Sequence, residues 1–340
     1  MGIINTAALS RIFLLTAISF MIAILWTPVL SGALYKFRFV KRLREQTWDG
    51  DRAEIFRQLH KAKAGTPTMG GLLVWVTAAV ITALFNLSRA QTWLPLFVLV
   101  TSGALGLIDD YLNIRGKNLV RGLTTGIKFF FQFSIATLGA WWFFYKLEFS
   151  QIRIPANELF NLPQSVDIGL WYIPLFILTV VFISNAVNIT DGLDGLAGGV
   201  LVASFGSIMG IAFIQGQIGI AAFAGTIIGA LLAFLWFNIY PARFIMGDTG
   251  AFALGATLAV LAFLTNTVLV LPFIGLVFVV EALSSLLQRA SKKFFNKKIF
   301  LIAPLHHHFE SLGWPETKVT MRFWVIAFVS ATIGMVLALI

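Results

Sequence analysis

The chain has no cysteine, only four histidines and, in 340 residues, only 15 aspartate and glutamate side chains. Without cysteine there are no disulfides and no thiolate metal sites, which leaves oxygen and imidazole as the metal ligands on offer. Charged residues amount to 12%, about half of what a soluble domain carries. What fills the space is apolar: 58% hydrophobic residues and a mean hydropathy of +0.87. That composition describes a polytopic membrane protein. The apolar runs are continuous and do not alternate with period two, which argues against a β-barrel. No internal repeat, low-complexity tract or linker divides the chain, so residues 1–340 read as one membrane domain.

Ten stretches approach the roughly 20 residues that a spanning helix needs. They run from Ser10 to Leu34, Thr68 to Leu87, Trp93 to Ile108, Thr125 to Tyr145, Trp171 to Ile189, Gly198 to Ile214, Ile218 to Phe237, Ala251 to Thr265, Val268 to Gln288 and Val319 to Ile340. The fold class is therefore all-α, a polytopic integral membrane protein of about ten transmembrane helices. The first stretch is too long for a cleaved signal peptide and leads into no soluble domain, so it is expected to stay as a helix. Between the fourth and fifth stretches, the alternating Phe149-Ser150-Gln151-Ile152-Arg153-Ile154 predicts a short hairpin or interfacial segment.

A net charge of +10 raises the question of nucleic acid, but its distribution points to lipid. One set of loops carries nine Lys and Arg from Lys36 to Lys63, four from Arg115 to Lys128, Arg243, and seven from Arg289 to Arg322. The other side keeps Arg11, Arg89, Lys146 and Arg153. Basic loops mark the cytoplasmic face. Both termini are then expected to be extracytoplasmic, and no nucleic-acid partner is implied.

On this topology the acids converge. Asp109 and Asp110 close the third stretch, Asp191 and Asp194 follow the fifth, and Asp248 lies between the seventh and eighth, all at cytoplasmic helix ends. A lone Asp at a helix end is more often merely solvated. A like-charge pair after the apolar run from Gly103 to Ile108 needs a cation or a raised pKa, and oxygen-only ligation favours Mg2+ or Mn2+. At the same depth lies Pro304-Leu305-His306-His307-His308-Phe309-Glu310, with three of the four histidines. The surrounding loops are polar and rich in glycine. Asn185 to Gly195 places amides and carboxylates three apart, near one helical face. Lys63-Ala64-Gly65-Thr66-Pro67-Thr68-Met69-Gly70-Gly71 sets a lysine and hydroxyls at a helix start, a natural phosphate site. His60 reads as solvated. Glu281, inside the ninth stretch, is functional by default, although pairing with Gln288 or Arg289 along its own helix would account for it structurally.

Together these loops resemble the phospho-N-acetylmuramoyl-pentapeptide transferases (the MraY family), in the polyprenyl-phosphate N-acetylhexosamine-1-phosphate transferase superfamily. The resemblance covers nearly the whole chain and rests on Gly65 to Gly71, Asp109-Asp110-Tyr111, Asn185 to Gly195, Phe237 to Gly250 and Pro304 to Glu310. It implies a single transmembrane transferase domain in the bacterial inner (cytoplasmic) membrane, with its active site on the cytoplasmic face. It implies transfer from UDP-MurNAc-pentapeptide to undecaprenyl phosphate, giving lipid I and UMP in peptidoglycan synthesis, with Mg2+ as cofactor; a homodimer is compatible with it. By resemblance Asp248 is the leading Mg2+ ligand with Asn188 beside it, and Asp109 or Asp110 is the base or nucleophile. Asn188, Asp191, Asp194 and Asn238 shape the metal and nucleotide site, and Lys63 and Thr68 face nucleotide or phosphate. His306, His307 and His308 line the site, His306 being the first choice for catalysis. The chain departs from the family at Asn113, where a lysine is usual, and at Ile245 and Ala251, where Phe and Ser are commoner. The stretch Trp48-Asp49-Gly50-Asp51 takes no role.

Two other readings compete. A sister enzyme moving GlcNAc-1-phosphate onto the same lipid would share the Asp sites, but the triple histidine and Thr66-Pro67-Thr68-Met69-Gly70-Gly71 favour the muramoyl branch. An ion-coupled transporter would carry its ionisable groups near the midplane, often with repeat symmetry, whereas here they crowd one face.

Overall fold

The computed structural model describes residues 6–40, 65–88, 91–116, 122–157 and 161–340. Helix α1 is Thr6–Lys36, α2 is Gly71–Phe85, α3 is Trp93–Arg115 and α4 is Thr125–Trp141, which runs on as a wider turn over Trp142–Lys146. After a two-stranded hairpin come α5, Tyr172–Thr190, α6, Leu196–Ile214, α7, Ile218–Asn238, and α8, Gly247–Leu264. The chain ends with a short α9, Leu271–Ile274, then α10, Leu276–Phe295, α11, Leu305–Ser311, and α12, Glu316–Leu339. Among the described residues eight helical segments are long and apolar enough to cross a membrane. The protein is therefore an all-α polytopic membrane protein.

The other two expected spans are helical but atypical. Helix α2 has 15 residues, about 22 Å at 1.5 Å per residue, because Thr68 to Gly70 are spent on a loop. The ninth span is interrupted at Gly275, and its main part, α10, carries Glu281, Arg289, Lys292 and Lys293. The hairpin appears where the alternation predicts it. Strands β1, Gln151–Arg153, and β2, Ser165–Asp167, pair antiparallel with Ile152 opposite Val166.

Helix α8 is the axis of the bundle, and all 18 of its residues are buried. Its Ala- and Gly-rich sequence explains this position. Lipid tails are as apolar as leucine, so helices associate in the bilayer through close van der Waals contact, which small residues permit. Gly106 of α3 packs so tightly on the N-terminus of α8 that a Cβ there would collide with the Asp248 carbonyl oxygen. Toward the other end, Phe143, Phe176 and Phe263 interlock α4, α5 and α8, with ring centroids 4.9 Å apart for the first two and 4.7 Å for the last two. Burying such rings adds area and about 1 kcal/mol per well-oriented pair. The axis is thereby held rigidly beneath its polar end.

Candidate active site

The polar end is assembled around the start of α8. Gly247 has φ +74°, a left-handed turn that brings the chain into the helix, and Asp248 falls in the first helical turn, where the positive end of the helix dipole favours a carboxylate. The glycine-rich loop before α2 is laid against this turn. Gly70 and Gly71 donate their backbone N–H to the carbonyls of Ile245 and Met246 at 2.8 and 2.9 Å, and Ile245 donates back to Pro67 at 2.9 Å. Thr68 is thus set beside Gly247. Among the described residues its buried hydroxyl has no hydrogen-bond partner, and with Asp110 Oδ2 it flanks the Gly247 α-carbon.

Three carboxylates meet here. Asp109 and Asp110 are fully buried toward the C-terminal end of α3, where the helix dipole offers a carboxylate no help. Asp109 Oδ1 accepts the Leu123 backbone N–H at 2.7 Å, and its Oδ2 accepts Asn113 Nδ2 at 2.9 Å. Asp110 Oδ2 accepts the Thr249 backbone N–H at 3.1 Å. Lys128 Nζ bridges Asp109 Oδ2 at 2.6 Å and Asp248 Oδ2 at 3.2 Å, with its side chain one-quarter exposed. Asn188 Nδ2 donates to Asp248 Oδ1 at 3.0 Å. One ammonium thus lies between two carboxylates carried by different helices. Asn113, the departure from the family pattern, serves here as a donor to Asp109.

The Asp191–Asp194 turn links this cluster to its surroundings. Asp191 Oδ2 accepts the Gly247 N–H at 2.9 Å, one residue before Asp248. Asp194 Oδ2 accepts the Ala242 N–H at 2.9 Å, while the Asp194 N–H donates to Glu316 Oε1 at 2.6 Å. Asn238 is committed at both ends of its amide, accepting from Gly195 N at 3.0 Å and donating to Phe244 O at 2.9 Å. It frames the site by pinning two loops.

The histidines divide. His306 is fully buried, its Nδ1 2.8 Å from Glu281 Oε2 and its backbone N–H donating to Glu281 Oε1 at 3.1 Å. Among the described residues its Nε2 has no hydrogen-bond partner, and it faces Gly192, where a Cβ would collide with it. Glu281 therefore pairs with His306 from a different helix. Gln288, one expected partner, instead accepts the Ile299 and Phe300 backbone N–H groups, each at 3.0 Å. His307 Nδ1 lies 2.7 Å from Glu310 Oε2. His308 turns to the preceding loop and accepts the Leu301 N–H on Nδ1 at 3.2 Å.

The structure thus brings together Asp109, Asp110, Asp248, Asn188, Asp191 and Thr68, with Asp194 and Asn238 in the adjoining frame and His306 behind the Gly192 turn. Lys63, His60 and Trp48 to Asp51 lie outside the described residues. Two residues stand in the cluster without a role in the sequence reading, Lys128 and Asn113. Lys128 had a signal, as a lone cation in the first turn of an apolar helix; Asn113 was marked only as a departure from the family pattern. Among the described residues no three acidic or imidazole side chains form a ready metal cage. The oxygen-only donors around Asp248 nevertheless fit Mg2+, which commonly takes one or two carboxylates and completes its shell with substrate phosphates and water.

The profile described as Glycosyl transferase family 4 matches residues 92–266, and the phospho-N-acetylmuramoyl-pentapeptide-transferase signature 1 matches residues 63–73. A phospho-N-acetylmuramoyl-pentapeptide-transferase of Chloroflexus aurantiacus is 42% identical, covering 98% of this chain and 90% of that protein. The enzymes of the same name from Geobacillus thermodenitrificans and Bacillus velezensis are each 39% identical, covering 94% and 96% of this chain and 95% and 98% of theirs.

Proposed function

Since this chain belongs to the phospho-N-acetylmuramoyl-pentapeptide transferase family, we propose that its buried carboxylate–lysine cluster carries the transfer reaction of peptidoglycan synthesis. The donor is UDP-MurNAc-pentapeptide and the acceptor undecaprenyl phosphate. A phosphate oxygen of the acceptor attacks the β-phosphorus of the donor, the bond from that phosphorus to the bridging oxygen breaks, and UMP leaves with the electron pair. Lipid I remains in the membrane. Such a displacement asks the protein for alignment and charge neutralisation more than for covalent chemistry.

The observation that carries this reading is Lys128 bridging Asp109 and Asp248. The ammonium holds two helices' carboxylates at one point and is placed to meet an incoming phosphate, which draws it from its carboxylate partners. Asp109 holds Lys128 where it can orient the acceptor phosphate, and Asp110 fixes the start of α8 beside it; already anionic near neutral pH, the phosphate needs positioning more than deprotonation. Asp248, with the Asn188 amide oxygen beside it, would hold Mg2+. The metal supplies neutralisation of the diphosphate when bound. Thr68 offers an unused buried hydroxyl to a phosphate or nucleotide oxygen, and Asp191 and Asp194 hold the turn that shapes the nucleotide side. Glu281 fixes the His306 ring against Gly192, which makes the pair a support for that turn.

The polar end is assigned to the cytoplasmic face of the bacterial inner membrane, with both termini outside, because the basic loops gather there. Cysteines introduced singly at Ser311 and Gln164 would be labelled from opposite sides under this assignment. The function itself is tested with purified protein, polyprenyl phosphate and Mg2+. UMP should appear with UDP-MurNAc-pentapeptide and not with UDP-GlcNAc; equal turnover of UDP-GlcNAc would favour the sister transferase.

A further inference from the structure

The end of the bundle opposite the carboxylates holds a second polar feature. Helices α1, α2 and α7 each have one end at the acidic cluster, and their other ends surround a cavity of about 300 Å3 lined by Arg11, Asn86, Ser88, Gln91 and Gly219. Arg11 Nη2 donates to the Phe85 carbonyl at 3.2 Å and to Asn86 Oδ1 at 3.0 Å. Both acceptors are neutral, and among the described residues no carboxylate faces the guanidinium. Asn86 is itself fixed, since its Nδ2 donates to Gly219 O at 2.8 Å, and Gln91 Oε1 accepts the Gly219 N–H at 2.9 Å. The frame thus fixes the guanidinium at one point while three of its five N–H donors, those on Nη1 and Nε, have no acceptor among the described residues.

Position sets the chemistry of the ligand. Arg11 precedes Lys36 by 25 residues on one continuous helix, about 37 Å of rise against a hydrocarbon core of about 30 Å. With Lys36 at the headgroups of one leaflet, Arg11 stands at those of the other. The rim of the cavity is apolar and open to lipid, Phe85 being 54% and Leu87 53% exposed. A fixed cation beside hydroxyl and amide groups, with apolar side chains leading away from it, matches an anionic amphiphile. We infer that this cavity binds the phosphodiester headgroup of an anionic phospholipid in the leaflet opposite the catalytic end, with its acyl chains along Phe85 and Leu87. The inference is independent of the transfer reaction.

The test uses the full-length protein in vesicles containing phosphatidylglycerol that bears a photoactivatable group near the headgroup, with the matching phosphatidylcholine probe as control. Labelled peptides are mapped by mass spectrometry, which separates this site from lipid held at the basic end. The phosphatidylglycerol probe should label the peptide containing Phe85 and Leu87, and the phosphatidylcholine probe should label it several-fold less. Arg11→Gln should reduce the labelling about fivefold while leaving UMP release unchanged. Ser88→Asp, which keeps both Arg11 hydrogen bonds and sets a carboxylate in the cavity, should reduce it similarly and covers the case in which Arg11→Gln folds poorly. Equal labelling by the two probes, or labelling unaffected by Ser88→Asp, would overturn the inference. So would displacement of the lipid probe by millimolar glycerol phosphate, which would make this a site for soluble phosphate.

Discussion

The two ends of α8 are closed by different chemistry. At its C-terminal end neutral groups take up the last carbonyls: Gln217 Nε2 donates to Leu264 O at 3.1 Å, Gln215 Nε2 to Thr265 O at 3.0 Å, and the Thr267 hydroxyl to Ala262 O at 3.3 Å. Each such bond contributes about 1 kcal/mol and asks for nothing further. At the N-terminal end Asp248 is joined to Asn188 and to Lys128 and, through Lys128, to Asp109, with both carboxylates buried and the lysine partly exposed. A buried charge network is poor value as a fastener, because desolvation offsets most of what the Coulombic attraction gains. The neutral end is where this fold is tied. The charged end holds the groups proposed to meet the phosphates.

That contrast makes the charged end sensitive to changes the neutral end should tolerate. The largest effect should come from stripping divalent cation: excess EDTA should abolish UMP release and added Mg2+ restore it, because the clustered carboxylates and the diphosphate would otherwise repel one another. Undiminished turnover in EDTA would remove the metal from the account. Next, Lys128→Met should lower kcat by about 10²-fold, the scale of losing one charge-stabilising group, with a loss of thermal stability from the exposed Asp109–Asp248 repulsion. A variant with unchanged kcat would show the bridge to be only structural.

Glu281→Gln tests the support behind the turn. It keeps the size of the side chain but weakens a charge-assisted bond to His306, so kcat should fall about tenfold with KM little changed. A rise in KM alone would mean that the pair shapes donor binding instead. At the neutral end, Gln217→Ala should cost about 1 kcal/mol of stability and leave turnover within about twofold, as measured by thermal unfolding beside the UMP assay. A large loss of activity there would erase the distinction between the ends.

Much of this was legible in the sequence, for physical reasons that also mark the limits. Continuous apolar runs fix helix positions in a bilayer, so the ten spans fall on helices, and the equal depth of Asp109, Asp110, Asp191, Asp194 and Asp248 anticipates their meeting. Helix length is less legible. Met69 and Gly70 look like the opening of a span, yet their backbone pairs with or lies beside Ile245 and Met246, which shortens α2. Glu281 shows the limit most clearly. Helical arithmetic proposes Gln288 or Arg289 as its partner, whereas the partner is His306, brought back by the 296–304 loop, while Gln288 is taken up by the backbone of that loop. Lys128 escaped for the opposite reason. A cation at the start of an apolar helix reads as a snorkelling interfacial residue, and only the crossing of α3, α4 and α8 turns it inward to two carboxylates.

The central claim is that the charged end of α8 performs the transfer and that the charge of Asp248 is not needed to hold the fold. Asp248→Asn tests it most directly, since the amide keeps the volume and the helix-start position while removing the charge. Wild type and variant are compared for UMP release at saturating donor, polyprenyl phosphate and Mg2+, and for thermal unfolding in the same detergent. The account predicts turnover reduced by about 10³-fold or more with an unfolding temperature close to that of wild type. Near-normal turnover in the folded variant would contradict it.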